Sequence, residues 1–277
     1  MQSLYDIPAP AKLNLFLHIN GRRADGYHLL QSAFMLVDWC DTLHYDLRSD
    51  GQITREDLTI PLPADDLCVR AARALQQQSG TKLGAHIGIH KSVPAQAGMG
   101  GGSSDAASTL LALNRLWNCN LPLEMLAKIG LSLGADVPFF LCGSHAWVEG
   151  IGEQLTPLTL PSAQYVVCKP QDGLDTKLIF SDSELKRDSE PAILYGFAAN
   201  EIENQLSKIS FGRNDLQPVA ERLCPSVSRA IAWLGNQGLS ARMTGSGSAV
   251  FAHLPHGVLW DSANLSESFQ VRQCSSL

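Results

Sequence analysis

Between Ala11 and Ile19 the chain alternates. Ala11, Leu13, Leu15, Leu17 and Ile19 fall on one side, and Lys12, Asn14, Phe16 and His18 fall on the other. Successive side chains of a strand point to opposite faces, so this spacing predicts a strand with one face on a core. Ser32 to Asp46 is rich in Phe, Val, Trp and Tyr and reads as a second extended segment, reached through the turn-rich GRRADGYHLLQ. Asp65 to Gln78 has Leu67, Arg70, Ala71, Ala74 and Leu75 at helical spacing with Gly80 placed to end the helix. A loose strand follows from Ala85 to Val93. A helix then runs from the glycine-rich stretch to about Trp117, and another runs from Pro122 to Leu133 and stops at Gly134.

Beyond Pro161 a strand is expected over Gln164 to Lys169, then a polar loop over Ser181 to Pro191 and two helical patterns. The later pattern carries Val227, Ala230, Ile231 and Leu234, with Gly238 at its end. SARMTGSGSAVFAHL reads as strand, glycine turn, strand. Strands and helices mix without regular βαβ alternation, which favours an α+β architecture over a doubly wound sheet.

Length refines this picture. A chain of 277 residues exceeds what one core usually holds. Two domains, or one large one with insertions, are therefore expected; the restart of the pattern beyond Pro161 places the boundary near residue 155, giving 1–155 and 156–277. Only 17% of residues are charged and the net charge is −6. There is no broad basic field to attract nucleic acid or an anionic membrane. Seven scattered cysteines form neither a CxxC pair nor a disulfide framework. Cys142 and His145 stand at ligand-like spacing, but ordinary core and turn roles explain them better. No signal peptide and no membrane-spanning run is read, so a soluble, cytoplasmic setting is expected.

The densest chemistry lies in Pro94-Ala95-Gln96-Ala97-Gly98-Met99-Gly100-Gly101-Gly102-Ser103-Ser104-Asp105, followed by AASTLLALNRLW. Glycines let the backbone approach a ligand closely and turn its N–H groups inward, and the helix behind adds its positive end. That combination is a phosphate site. Neither the P-loop lysine nor the dinucleotide spacing G-x-G-x-x-G is present. The plainer alternative is a flexible loop with Ser103 as an N-cap. Lys12 is one of three lysines in the first hundred residues. It lies in an apolar strand beside Asn14, which points to a site role over an exposed strand lysine. Asp136, in LGADVPFFLCG, is either an N-cap before Val137 and Pro138 or an acid in need of a partner, a part that suits Lys12. Thr244-Gly245-Ser246-Gly247-Ser248 alone would be only a hairpin turn.

Taken in order, PAPAKLNLFLHI, PAQAGMGGGSSDAAS and ARMTGSGSAVF resemble the GHMP kinase superfamily over nearly the whole chain. RADGYHLLQSAFMLVD and SLGADVPFF narrow the resemblance to members acting on a cytidine diphosphate-linked methylerythritol in non-mevalonate isoprenoid biosynthesis. The alternatives are another small-molecule kinase of the superfamily, mevalonate- or homoserine-like, and a non-catalytic nucleotide-binding protein. Retention of both Lys12 and Asp136 argues against the latter.

The resemblance implies an N-terminal domain like ribosomal protein S5 domain 2 and a C-terminal ferredoxin-like domain. It implies ATP held by Pro94 to Ser104, with Mg²⁺ expected but no ligand for it assigned. It implies Lys12 and Asp136 as catalytic residues. It further implies Asn14, Tyr27, His28, Thr176 and Phe180 on the substrate side, with Tyr27 and Phe180 on opposite faces of the cytosine. Where relatives often carry another glycine this chain has Ala95-Gln96-Ala97, so a stiffer loop entrance is expected.

Overall fold

The computed structural model describes residues 2–195, 197, 211–255, 260 and 269–277. Within it the first strand is longer than the alternation suggests: β1 spans Ser3–Arg22, and every residue from Ala11 to Ile19 is buried. The expectation of one buried face is thus corrected. Leu17 and Ile19 enter an aliphatic core, while Phe16 and His18 pack on the other side, where Phe16 meets Trp147, Phe197 and Phe211. With an aromatic cluster covering the second face, polar residues there become buried polar residues and must find partners.

The chain divides into two compact units, each assembled from separate segments. The first comprises Met1–Ala11, Trp39–Val93 and Gly100–Ser144. Here the C-terminal half of β2 (His28–Arg48) pairs antiparallel with β4 (Gly84–His90), from Thr42 opposite His90 to Arg48 opposite Gly84. β3 (Ile53–Asp57) lies parallel to β4, and α1 (Leu67–Ser79) joins them in a single βαβ crossover. The hydrophobic pattern does not show β3, because ITRED has one apolar residue and no alternation to read. α2 (Gly101–Leu116), α3 (Leu123–Leu133) and the short α4 (Val137–Cys142) complete the unit, with α1 packed on α2 and both α2 and α3 packed on α4.

The second unit comprises Lys12–Asp38, Pro94–Met99 and His145–Leu277. The N-terminal half of β2 pairs with β5 (Ala146–Glu149), which pairs with β6 (Gln154–Pro157). A four-stranded antiparallel sheet is built from β7 (Gln164–Pro170), β8 (Ala241–Met243), β9 (Val250–Leu254) and β10 (Phe269–Ser275), in the order β10-β7-β9-β8. α5 (Thr176–Ser181), α6 (Gln217–Leu223) and α7 (Pro225–Gly235) are its described helices of this kind. α7 turns Val227, Ala230 and Leu234 into a core shared with Val166, Met243 and Val250. The expected strand-turn-strand at residues 240–254 is β8 and β9. Among the described residues no helix is long and apolar enough to cross a membrane, and the cysteines form no disulfide.

α1 ends as its sequence predicts: Gly80 takes a left-handed φ of 69° and its N–H closes on Gln76 O. Its start does more than cap. Asp66 accepts from Val69 N at 3.1 Å and also pairs with Arg55 at 2.6 Å, a side chain only 8% exposed. Asp66→Ala should therefore cost more than a cap alone, about 2–3 kcal/mol in urea unfolding, because a nearly buried guanidinium loses a partner. Asp66→Asn keeps the cap and should lose about half as much or less.

Candidate active site

In the second unit, three segments distant in sequence meet around Asn14. Lys12 is 3% exposed, so the exposed-lysine alternative is excluded. Its ammonium donates to Asn14 Oδ1, and it lies 4.5 Å from the centroid of the Phe34 ring, an attractive position for a cation. The Asn14 amide is oriented by its surroundings. Ser32 Oγ donates its one proton to Phe16 O, so toward Asn14 it can only accept, and Asn14 Nδ2 donates to it at 2.9 Å. That leaves Asn14 Oδ1 for Lys12. Asn14 N–H in turn donates to Thr244 Oγ1 at 2.9 Å.

The glycine loop closes on the same place. Lys12 N–H donates to Met99 O at 2.9 Å, and Ser248 N–H and Ala249 N–H donate to Gln96 O and Ala97 O. Gly98 has φ of 70°, and a Cβ there would overlap Thr244 O and stand 2.9 Å from Gly247 N. A Cβ on Gly245 would in turn stand 2.5 Å from Gly98 O. The turn at residues 244–248 is therefore part of the seat of the loop, and Asn214 holds it by donating to Met243 O and Gly245 O, both at 2.8 Å. Gln96 takes a left-handed φ of 51° without being glycine.

The remainder of the loop lies in the first unit. Gly100, at φ of 73°, occupies the N-cap position of α2 and makes no side-chain cap. Ser103 is consequently inside the first turn and is not the N-cap. A 16-residue helix that opens on glycines leaves its first N–H groups to an external acceptor. Behind this end lies a charged cluster that the sequence reading overlooked. Lys91 reaches both Asp41 and Asp105, while Asp41 Oδ1 accepts from Ser92 N at 2.6 Å and Val93 N at 2.8 Å. Burial pushes the Asp105 carboxyl up to about 7 against the pull of Lys91. Burial opposes the Lys91 charge, yet Asp105 and Asp41 together hold its pKa above the usual lysine value. The available signal was charge inside apolar sequence, VDWCDTL and IGIHKSV.

Asp136 stands at the N-cap position of α4, but its side chain makes no capping hydrogen bond. Tyr27 is 60% exposed, and the neighbouring His28 is buried. Phe180 lies against the His28 ring, 5.0 Å between centroids with planes 35° apart. Thr176 opens α5 and shares a 2.7 Å hydrogen bond with Ser246 of the glycine turn. His145 Nδ1 accepts from Leu36 N at 3.1 Å, a structural role consistent with the reading of Cys142 and His145 as ordinary residues.

Gly98→Ala should destabilise the protein by about 2–4 kcal/mol, from left-handed backbone strain plus overlap with the facing turn. The midpoint of urea unfolding measures this; an unchanged midpoint would mean that the loop and turn separate easily.

Comparison with known proteins assigns the family. The family model described as GHMP kinases N terminal domain matches residues 66–144, and that described as GHMP kinases C terminal matches residues 196–257. A relative from Albidiferax ferrireducens, named 4-diphosphocytidyl-2-C-methyl-D-erythritol kinase, is 67% identical over 277 residues, covering 100% of this chain and 93% of its own. One of the same name from Variovorax paradoxus is 64% identical over 288 residues, covering 100% and 97%. A crystal structure of 4-(cytidine 5'-diphospho)-2C-methyl-D-erythritol kinase superposes with TM-score 0.82 at 31% identity, over 99% of this chain and 98% of that one. Homoserine kinase from Cytophaga hutchinsonii, at TM-score 0.69 and 16% identity over 100% and 95% of the two chains, shares the fold. The chain has the two-domain, mixed α+β GHMP kinase fold with two sheets and belongs to the 4-diphosphocytidyl-2-C-methyl-D-erythritol kinase family of GHMP kinases.

Proposed function

We propose that this chain uses ATP to phosphorylate the 2-hydroxyl of cytidine diphosphate-linked methylerythritol, a step of non-mevalonate isoprenoid precursor biosynthesis. The observation that carries this reading is full-length identity of 67% and 64% to relatives named for that activity. The two family models match separate stretches, 66–144 and 196–257, which is compatible with a sequential division into 1–155 and 156–277, while the compact units of the fold interleave along the chain. A cytoplasmic setting fits a reduced set of thiols.

Phosphoryl transfer needs positioning and charge stabilisation more than covalent chemistry. In this reading Pro94 to Ser104 holds the ATP phosphates: Gly98 permits the close approach of backbone, and the open first turn of α2 supplies N–H donors. Lys12 offsets charge on the transferring group, and Asp136 takes the proton of the attacking hydroxyl. The burial of Lys12 within the second unit supports its role. Asn14 fixes Lys12 on the substrate side. Tyr27 and Phe180 stack on the cytosine, His28 hydrogen-bonds it, and Thr176 lies nearby; the exposure of the Tyr27 ring suits stacking.

Mg²⁺ is held largely by phosphates and water in such sites, so it asks little of the protein. Ser104 Oγ is buried without a hydrogen-bond partner among the described residues, an oxygen that fits this need. When bound, the ion neutralises charge on the phosphates.

A coupled ADP-release assay tests the reaction, with the cytidyl substrate beside mevalonate, homoserine and galactose. Turnover is expected with the cytidyl compound alone; its absence in folded, ATP-binding protein would sink the proposal. Asp136→Ala should lower kcat by about a thousandfold or more while ATP affinity stays within about twofold. If that variant instead keeps its activity per folded molecule, Asp136 only shapes α4. Tyr27→Ala should raise the KM for the cytidyl substrate about tenfold and leave the KM for ATP alone. An unchanged KM would remove Tyr27 from the base site.

A further inference from the structure

Arg187 lies in none of the motifs, yet it ties together the residues of the base site. Its Nε–H donates to His28 Nε2 at 3.0 Å. Nη1 donates to Leu185 O at 2.9 Å, and Nη2 donates to Phe180 O at 3.1 Å and Asp182 O at 2.7 Å. One guanidinium thus pins the backbone that carries Phe180 and the imidazole against which Phe180 packs. All of these residues belong to the second unit.

The chemistry of the pair has one consistent solution. A guanidinium has only N–H donors and no acceptor, and it keeps its charge at any pH a protein survives. The imidazole nitrogen that faces it must therefore be an acceptor, so Nε2 carries no proton. A neutral imidazole has one proton, which is then on Nδ1. Charging the ring would set N–H against N–H beside a fixed positive group. Burial first, then the charges of Arg187 and Arg22, push the His28 pKa down in the same direction.

We propose that Arg187 is a positioning residue that sets His28 in its Nδ1–H tautomer and thereby selects cytosine over uracil. The specificity half of this inference rests on the reading of Tyr27, His28 and Phe180 as the base site; the tautomer half does not. Cytosine presents a bare ring nitrogen and a carbonyl oxygen, both acceptors, whereas the corresponding ring nitrogen of uracil carries a proton. A committed N–H donor matches the first and opposes the second. Mispairing of a buried polar group is the kind of penalty that separates close analogues efficiently. Without Arg187 the ring can exchange tautomers, and its Nε2–H form leaves Nδ1 bare to accept from the protonated ring nitrogen of uracil.

The test uses the full-length chain. In ¹⁵N spectra of the histidine rings without ligand, His28 should show a bare Nε2 and a protonated Nδ1 at about pH 7 to pH 8, above the ordinary histidine pKa. Arg187→Met should give mixed tautomers and a ring that titrates closer to its ordinary value. In the kinase assay the variant should raise the KM for the cytidyl substrate about tenfold. It should lower the cytidyl-over-uridyl ratio of kcat/KM by a similar factor, while the KM for ATP stays within twofold. Arg187→Lys, which keeps charge and a donor without the fork, should restore part of both readouts. A proton on Nε2 in the unmodified protein overturns the proposal, and that measurement needs no variant to fold. So does an Arg187→Met protein whose His28 spectrum and base preference are unchanged. If the spectra respond but Tyr27→Ala leaves the cytidyl KM unaltered, the base-site reading has failed. The specificity half then falls with it, and the tautomer half stands.

Discussion

The contact between Gly98 and the turn at residues 244–248 is the constraint on which the candidate site in the second unit depends. Two backbones approach there more closely than any Cβ permits, and both sides of the contact are glycine. That approach brings Thr244 Oγ1 under Asn14 N–H, and the paired Lys12 N–H holds Met99 O. From Asn14 the order passes to Lys12 through an amide that Ser32 can orient in only one way. Residues near 12, 98 and 244 therefore act as one device, although more than two hundred positions separate the first from the last. Side-chain chemistry is held by backbone geometry.

Charge is handled differently in the two units, with a shared logic. The chain is acidic and sparing with charge, yet its proposed ligands are two anionic nucleotides. The positive potential is local, from N–H groups, an open helix end and Lys12, so no basic surface is needed. In the first unit, Lys91 between Asp41 and Asp105 joins the end of β4 to the opening of α2. Buried ions cost several kcal/mol of desolvation each unless paired, so such clusters survive where they hold something in place. Here they hold the helix end proposed to meet phosphate. Arg187 does similar work near His28, where its charge and its donors act on a neutral ring.

Much of this was legible in the sequence. The glycine loop, Lys12 and Asp136 each break a local rule, as a lysine in an apolar strand or glycines crowded before a strong helix, whereas the 244–248 turn by itself reads as an ordinary hairpin. Rule-breaking of this kind marks sites. α1 and its Gly80 end, α3, β7 and α7 follow from periodicity and end signals. Other features left no local mark. β3 is short and polar, and its pairing partner β4 lies beyond a helix. The second buried face of β1 is invisible to alternation, because Phe16 and His18 find their partners near residues 147, 197 and 211. Ser32, Asn214 and Arg187 are ordinary residues in ordinary context until the chain is folded.

By itself, then, the sequence determined most of the kinds of element, the glycine-rich make-up of the loop and the membership of a kinase family. All of these depend on residue types and spacings within a single segment, or on motifs recurring in a fixed order. Tertiary structure alone decided which polar atoms are donors and which are acceptors. The orientation of the Asn14 amide, the company of Lys91 and the tautomer of His28 follow from partners far away in the chain. A hydrogen bond is a property of two groups in space, and only folding chooses the second.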